Sequence, residues 1–251
     1  MQDLPRHHTI RESSHRIINP LSAEKLRQLG ASLMLKGGER VLDLASGKGE
    51  MLCTWARDHR IVGVGVDVSS VFTAKARARS VELGVADRVK FIHGDASDYV
   101  SNEPVDIASC LGATWIGDGV PGTVDLLRKS LKPGGIMLIG HPYWRKEPEG
   151  EECLTACGAE QESDWLSLPE QIAELQSLDL DVIEMMLADQ DSWDRYVAAQ
   201  WRNIREFIDT HPNDELTPMF REEITTSPIQ HTKFQREFLG WGVFVVKPRT
   251  M

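Results

Sequence analysis

The chain has 251 residues, of which 41% are hydrophobic and 26% are charged, and its formal net charge is −10. These proportions are ordinary for a soluble globular protein, and the excess of acidic residues disfavours nucleic acid as a partner because phosphate binding needs a basic surface. The four cysteines are too few and too scattered for a disulfide framework, and Cys153 and Cys157 lack the further ligands that a zinc site needs. We therefore expect no metal.

The first twenty residues carry no apolar segment of the kind found in signal peptides, and no apolar run in the chain approaches the roughly 18 residues of a membrane span. These absences predict a cytoplasmic protein without a membrane partner. Residues 1–20 are polar and show no periodicity. They form either a surface arm or a lid over a ligand cleft, since Ile10, Ile17 and Ile18 provide apolar contacts.

From residue 21 to residue 141, short apolar segments alternate with amphipathic ones. Strands are predicted over 40–45, 61–66, 89–93, 105–111 and 136–140. Helices are predicted over 21–35, from about residue 50, over 69–83 and over 120–131. Such alternation is typical of βαβ units, so we expect an α/β fold with a doubly wound, mostly parallel sheet and helices on both faces.

The pattern changes after His141. Residues 144–167 are rich in acids and are predicted to form a surface loop or short helices. A helix over 168–178, a sixth strand over 182–187, helices over 193–209 and 213–225, and a last strand over 238–246 complete the prediction. We therefore expect seven strands in a single domain over 1–251, with residues 188–230 as a helical cap insertion.

The most informative stretch is residues 41–49, VLDLASGKG. An apolar strand ends in Gly47 and Gly49 at the start of an amphipathic segment, which predicts a strand, a tight turn and a helix N-terminus. Glycines at such a turn let a ligand approach the backbone closely. The next strand delivers Asp67, whose carboxylate can accept hydrogen bonds from both hydroxyls of a ribose. These features predict an enzyme that uses a nucleoside cofactor.

The glycine pattern disfavours a dinucleotide. The fingerprint Gly-x-Gly-x-x-Gly would need a third glycine where this chain has Leu52. A loop with few glycines, followed by the acids Asp67 and Asp95 at the ends of later strands, suits a cofactor that has no phosphates.

Four motifs occur in order at residues 41–49, 65–69 (GVDVS), 92–96 (IHGDA) and 131–135 (LKPGG). Through them, residues 40–141 resemble the class I (Rossmann-like) S-adenosylmethionine-dependent methyltransferases, and the pattern is closest to their small-molecule branch. The resemblance implies S-adenosyl-L-methionine as cofactor and S-adenosyl-L-homocysteine as product. It also implies that the last strand is antiparallel and lies beside the fifth.

By position, the resemblance assigns cofactor contacts to Asp43, Ala45, Gly47, Gly49, Asp67, Val68, Asp95, Ala96 and Leu111. It implies that Asp67 holds the ribose hydroxyls, that Asp95 accepts from the adenine amino group and that the Leu111 carbonyl meets the methionine ammonium. The family usually has glycine where this chain has Ala45. Each aspartate also has a structural alternative as a turn or cap residue, and Lys48 either steers the cofactor carboxylate or is solvated.

The methyl acceptor is expected over the ends of the fourth and fifth strands, in a pocket formed by Thr114, Trp115, His141, Tyr143 and Trp144. An imidazole titrates near working pH, so His141 is the candidate general base, with Tyr143 as a second catalytic candidate. Structural roles are the alternative for both. The aromatic residues either wall the acceptor, with cation–π contact to a cationic group, or pack under a lid.

The acidic charge and the absence of an Asn/Asp-Pro-Pro-Tyr/Phe element after the fourth strand favour a small-molecule acceptor, methylated by in-line displacement. One alternative is a module that binds S-adenosylmethionine without turnover. A nicotinamide-dependent oxidoreductase is a weaker alternative, because the third glycine and a Tyr-x-x-x-Lys pair are both missing.

Overall fold

The computed structural model describes residues 3–249, so residues 1, 2, 250 and 251 of the predicted domain lie outside the described range. The strands are β1 (Arg40–Leu44), β2 (Val62–Asp67), β3 (Val89–His93), β4 (Val105–Leu111), β5 (Leu131–Trp144), β6 (Leu180–Leu187) and β7 (Leu239–Pro248). The first five helices are α1 (Arg6–Arg11), α2 (Ala23–Ser32), α3 (Glu50–His59), α4 (Ser70–Glu82) and α5 (Val120–Arg128). The others are α6 (Gly150–Ala156), α7 (Leu168–Ser177), α8 (Gln190–Thr210), α9 (Thr217–Gln230) and α10 (Arg236–Phe238).

The seven strands form one sheet in the order β3-β2-β1-β4-β5-β7-β6. Strands β1 to β5 are parallel, and β7 runs antiparallel between β5 and β6. The predicted α/β fold class, including the antiparallel last strand, is therefore confirmed. The strand order reverses between β1 and β4, and open α/β sheets bind their ligands outside the carboxyl ends of the strands at such a point.

Apolar side chains cover both faces of the sheet. On one face, Val124 and Leu127 of α5 pack with Ile139 of β5. On the other face, Leu29 of α2 packs with Trp55 of α3. Helices on both faces explain why the parallel strands read as nearly continuous apolar runs. Within residues 3–249, no helix has the length and the apolar composition that crossing a membrane would require.

The fifth strand differs from its prediction over 136–140. It extends from Leu131 to Trp144, and the preceding helix ends at Arg128 instead of residue 131. The antiparallel partner β7 pairs with the extension, from Met137 opposite Val246 to Trp144 opposite Leu239. The prediction was wrong here because the hydrogen bonds that hold residues 141–144 in a strand come from a segment almost one hundred residues away.

The N-terminal arm also contains a helix that its sequence pattern does not predict. Arg6 and Arg11, at the two ends of α1, form bidentate ion pairs with Asp214 and Glu223. A six-residue helix is unstable by itself. Contacts with the region of α8 and α9 therefore stabilise α1.

Gly49 precedes α3 in a left-handed conformation, with φ of +70°. A Cβ atom at this position would lie 2.4 Å from the ring of Phe91 and 2.9 Å from the Cβ of Ala76. The room that the glycine leaves is therefore filled by the protein core. This finding differs from the prediction that a ligand approaches the backbone at Gly49.

We expect Gly49→Ala to destabilise the protein by about 2–4 kcal/mol, because a left-handed alanine costs about 1 kcal/mol and overpacking adds about 1–3 kcal/mol. Gly84→Ala is the matched control, since Gly84 has φ of +66° and its added Cβ would meet no atom within 4 Å. The control should cost only about 1 kcal/mol. Urea denaturation measures both values, and equal losses in the two variants would contradict the packing role of Gly49.

Candidate functional site

A cavity of about 550 Å³ opens at the carboxyl ends of β1, β2, β3 and β4. Its volume lies within the range of small-molecule and cofactor sites. Seven of the nine predicted cofactor residues line this cavity: Ala45, Gly47, Asp67, Val68, Asp95, Ala96 and Leu111. The structure thus brings together residues from four strand ends that are up to 66 positions apart in the chain.

Asp67, the last residue of β2, connects two loops at this cavity. Its Oδ2 accepts a hydrogen bond from the amide of Gly47 at 2.7 Å, and its Oδ1 accepts one from the amide of Ser69 at 2.8 Å. Burial raises the pKa of the Asp67 carboxyl, and these two bonds oppose that effect. A carboxylate has about four acceptor positions, so each oxygen can accept one more hydrogen bond from a ligand.

The backbone of the glycine loop is left-handed at both Ala45 and Gly47, with φ of +56° and +54°. This conformation favours glycine, and in an alanine it costs roughly 1 kcal/mol. The turn geometry therefore accounts for the glycine that the family usually has at position 45. A Cβ at Gly47 would lie 3.2 Å from Ile18, so the arm covers this part of the loop closely.

Asp43 lies deeper and lines a small adjoining cavity of about 50 Å³, which shares Ala45 and Leu111 with the larger one. The Ser109 hydroxyl donates to Oδ1 of Asp43 at 2.7 Å. Burial raises the pKa of Asp43 to about 7, against the effect of this bond. A cationic group in the small cavity would favour the ionised form of the Asp43 carboxyl.

Asp95 and Ala96 lie in a turn that follows β3. Asp95 is exposed, and its Oδ1 accepts from the amide of Ser97 at 2.9 Å, which lowers the pKa of the Asp95 carboxyl. This is an Asx turn. Asp95 therefore has the turn role that was the structural alternative to a cofactor contact. It also lines the cavity, with the buried Ala96 beside it.

The N-terminal arm forms one wall of the cofactor-side cavity, to which Asp3, Leu4, Pro5 and Ile18 contribute. Lys48 holds this arm. Its buried Nζ donates to the backbone carbonyls of Glu12, Ser13 and His15 at 2.5, 3.1 and 2.7 Å. This burial contradicts the prediction that Lys48 is solvated, whereas the steering of a cofactor carboxylate stays a prediction. Burial lowers the pKa of the Lys48 ammonium to about 8.

A second cavity, of about 570 Å³, lies beside the first and shares Gly112 and Trp115 with it. Of the predicted acceptor pocket, Thr114, Trp115 and His141 line this second cavity. Tyr143 and Trp144 are not among the described residues that line either cavity.

His141 is buried on β5, and its Nδ1 lies 2.8 Å from the hydroxyl of Thr114. Burial lowers the pKa of His141 to about 4, so the imidazole is neutral at physiological pH. With Nδ1 bonded to Thr114, Nε2 is the ring nitrogen left for a ligand in the cavity. The geometry thus gives His141 both a structural hydrogen bond and a position in the candidate site.

Tyr143 and Trp144 pack inside the protein. The ring of Tyr143 lies over Gly240 of β7, where an added Cβ would be 2.3 Å from the ring. Trp144 packs with Cys153 and Phe238, and its indole donates to the Glu162 carbonyl at 2.8 Å. These contacts follow from the extension of β5, which carries the strand past its predicted end at residue 140 to Trp144.

The sequence prediction missed several residues of the second cavity, among them Trp165, Gln171, Glu174 and Trp241. The sequence around Gln171 does contain a pattern that could have identified it. It stands three residues after Leu168 and four before Leu175, on the apolar stripe of α7. A polar residue within such a stripe is buried with the apolar ones, so it needs a polar partner or a ligand inside the protein. Within residues 3–249, no three His, Cys, Asp or Glu side chains are arranged to hold a metal ion.

The raised pKa of Asp43 predicts a pH-dependent stability. The carboxyl has a pKa of about 7 in the folded protein and about 3.9 in the unfolded chain, so the folded state binds more protons between these values. The contribution of Asp43 to stability is therefore fully present below pH 4 and is lost as the pH rises towards 7. Asp43→Asn should remove a slope of about 1 kcal/mol per pH unit.

Urea denaturation of the wild type and of Asp43→Asn at pH 5, 6, 7 and 8 measures this slope. The exposed Asp98 provides the matched control, and Asp98→Asn should keep the slope of the wild type. A difference between wild type and Asp43→Asn that does not change with pH would contradict the assignment.

Comparison with known proteins agrees with this geometry. A family model described as a methyltransferase domain matches residues 41–135. The chain is 57% identical to a SAM-dependent methyltransferase from Geobacter sulfurreducens, crystallised in complex with S-adenosyl-L-homocysteine; the match covers 99% of this chain and 100% of that one, with a TM-score of 0.97. The uncharacterized protein YjhP of Escherichia coli K12 is 53% identical over 98% of this chain and 100% of its own length.

A more distant relative is the 27-O-demethylrifamycin SV methyltransferase of Amycolatopsis mediterranei. It is 25% identical over 152 residues, which are 58% of this chain and 54% of that protein. The full-length similarity to the Geobacter enzyme, together with the four motifs and the strand order, is decisive: this chain belongs to the class I S-adenosylmethionine-dependent methyltransferases.

Proposed function

We propose that this protein transfers a methyl group from S-adenosyl-L-methionine to a small-molecule acceptor by in-line displacement. The observation that carries the proposal is the pair of cavities that meet at Gly112 and Trp115. One cavity holds the predicted cofactor residues, and the other holds His141. A nucleophile in the second cavity would face a donor in the first, and alignment of the two groups supplies much of the catalysis in such a reaction.

The residues of the first cavity fit the cofactor. Its lining residues include Asp3, Asp67 and Asp95 and, among the described residues, neither lysine nor arginine. Such a lining suits hydroxyl and amino groups and disfavours a pyrophosphate. The free acceptor positions of Asp67 suit ribose hydroxyls, and Asp43 beside the small cavity suits an ammonium. When bound, S-adenosyl-L-methionine supplies a methyl group on a positively charged sulfur.

The roles of the chain's own residues follow from their positions. We assign ribose binding to Asp67, adenine contacts to Val68, Asp95 and Ala96, and the methionine end to Asp43, Ala45, Gly47 and the Leu111 carbonyl. The left-handed Gly112 forms the boundary between the two cavities, with the indole of Trp241 3.6 Å from where its Cβ would be.

The neutral imidazole of His141 can accept a proton from the acceptor, or it can hold the acceptor by a hydrogen bond. The leaving thioether needs no acid. The proposal therefore requires one proton acceptor at most, and His141 is the candidate within the second cavity.

Asp67→Asn tests the cofactor assignment. Asp67 now accepts hydrogen bonds from two backbone N–H groups, one on each carboxylate oxygen. An asparagine has only one acceptor oxygen, so its NH₂ group would meet the other N–H, donor against donor. We expect the affinity for S-adenosyl-L-homocysteine to fall at least about 100-fold, which corresponds to roughly 3 kcal/mol. Isothermal titration calorimetry measures this affinity, with Asp98→Asn as the control.

An affinity of Asp67→Asn within threefold of the wild type would contradict the role of Asp67. Turnover is a separate test, in which labelled S-adenosyl-L-methionine is incubated with fractionated metabolite extracts and the release of S-adenosyl-L-homocysteine is followed. Binding without turnover in any fraction would favour the binding module over the enzyme with a small-molecule acceptor.

We further propose that the N-terminal arm acts as a lid that Lys48 holds closed. In Lys48→Met, three carbonyls of the arm lose a buried donor, so we expect the arm to open more often. S-Adenosyl-L-homocysteine should dissociate about 10-fold faster, and trypsin should cleave at Arg6, Arg11 and Arg16 more rapidly. Stopped-flow displacement and mass spectrometry of the digest measure the two effects.

The exposed Lys36 provides the control variant, Lys36→Met, which should behave as the wild type does. Faster cleavage of the arm with an unchanged dissociation rate would show that the arm is a surface segment and not a lid.

A further inference from the structure

The second cavity has a polar wall on α7 that the cofactor assignment does not use. The side chain of Gln171 is almost fully buried, with 1% of the residue exposed, and its Nε2 donates to Oε2 of Glu174 at 3.1 Å. A carboxylate can only accept, so this bond fixes the orientation of the Gln171 amide. The carbonyl oxygen Oε1 of Gln171 consequently points away from Glu174.

Two buried polar atoms at this cavity have no partner within the described part of the chain. They are Oε1 of Gln171 and the indole nitrogen of Trp165. A buried polar group without a hydrogen bond costs about 1–3 kcal/mol. Such a group in a native structure needs an explanation, and a ligand with polar groups bound at this wall would provide one for both atoms.

The charged residues of the cavity determine which sign of charge the ligand can carry. The described lining contains the carboxyl groups of Asp118, Asp164 and Glu174 and contains no lysine or arginine. Helix α7 adds two hydrogen-bond acceptors to this lining, the Glu174 carboxylate and Oε1 of Gln171. The same lining includes the indole rings of Trp115, Trp165 and Trp241, and aromatic faces attract cations. An anionic ligand would meet repulsion from the carboxylates and no compensating cation.

We propose that this cavity selects methyl acceptors that carry a positively charged amino group, held by Glu174 and by the carbonyl oxygen of Gln171. The inference rests on the proposed function, since it describes the acceptor of the same reaction. A protonated amine has no lone pair, so this amino group is the recognition group. The nucleophile is a second group of the same molecule, directed towards the opening at Gly112.

The test uses two probes of the same shape and opposite charge, phenethylamine and 3-phenylpropanoate. The full-length protein is saturated with S-adenosyl-L-homocysteine, so that the cofactor cavity is filled, and the affinity of each probe is measured by ligand-observed NMR. We expect phenethylamine to bind the wild type at least about 10-fold more tightly than 3-phenylpropanoate.

Glu174→Gln removes the charge and keeps an oxygen that accepts from Gln171. We expect this variant to lose at least about 10-fold in affinity for phenethylamine, with an unchanged affinity for S-adenosyl-L-homocysteine. Gln171→Met, which removes the carbonyl oxygen, should lose several-fold. Glu151→Gln is the control, because Glu151 is an exposed acid on α6 and does not line the cavity.

Equal or tighter binding of 3-phenylpropanoate, no binding of either probe, or unchanged amine affinity in Glu174→Gln would each overturn the inference. In those three cases the proposed function stands as long as the protein binds S-adenosyl-L-homocysteine and turns over in one of the metabolite fractions. A wild-type protein that does not bind S-adenosyl-L-homocysteine would overturn the proposed function, and the inference with it.

Discussion

The buried carboxylate of Asp67 connects the two loops on which the cofactor-side cavity depends. A carboxylate away from water is costly unless hydrogen bonds compensate it. The amides of Gly47 and Ser69 provide that compensation, and in doing so they fix the glycine loop against the start of α4. Asp67 also lines the cavity. In the proposed function, the same side chain organises the loops and binds the ribose, so ligand binding and loop order are coupled through one residue.

Lys48 fixes the glycine loop from the opposite side, through its three hydrogen bonds to the arm. The arm in turn contacts α8, because Glu12 accepts from the hydroxyl of Tyr196 at 2.9 Å and from the amide of Gln200 at 2.6 Å. The helices inserted between β6 and β7 thus support an arm that forms a wall of the cofactor-side cavity. This chain of contacts gives the C-terminal insertion a physical link to the cavity at the other end of the sequence.

The strands and the first-cavity residues could be predicted from the sequence because local patterns determine them. An apolar run predicts a buried parallel strand, and Asp67 follows such a run directly. The failures occur where distant contacts decide the structure. Pairing with β7 extends β5 to Trp144, packing by Phe91 fills the space at Gly49, and the charges of Asp214 and Glu223 stabilise α1. None of these partners is near in sequence to the element that it changes.

The two cavities also differ in whether local sequence patterns or distant contacts determine them. Each cofactor-side residue from β1 to β4 lies within a few positions of a strand end, so a short motif contains its neighbours. The second cavity is assembled from four separate segments around Gly112, His141, Gln171 and Trp241, and no single segment shows the site. Helix α7 contributes the polar wall and lies apart from the bonds made by Asp67. In the proposed function, substitutions on α7 therefore change which acceptor fits and leave the cofactor side undisturbed. A fold needs this separation if one cofactor is to serve different acceptors.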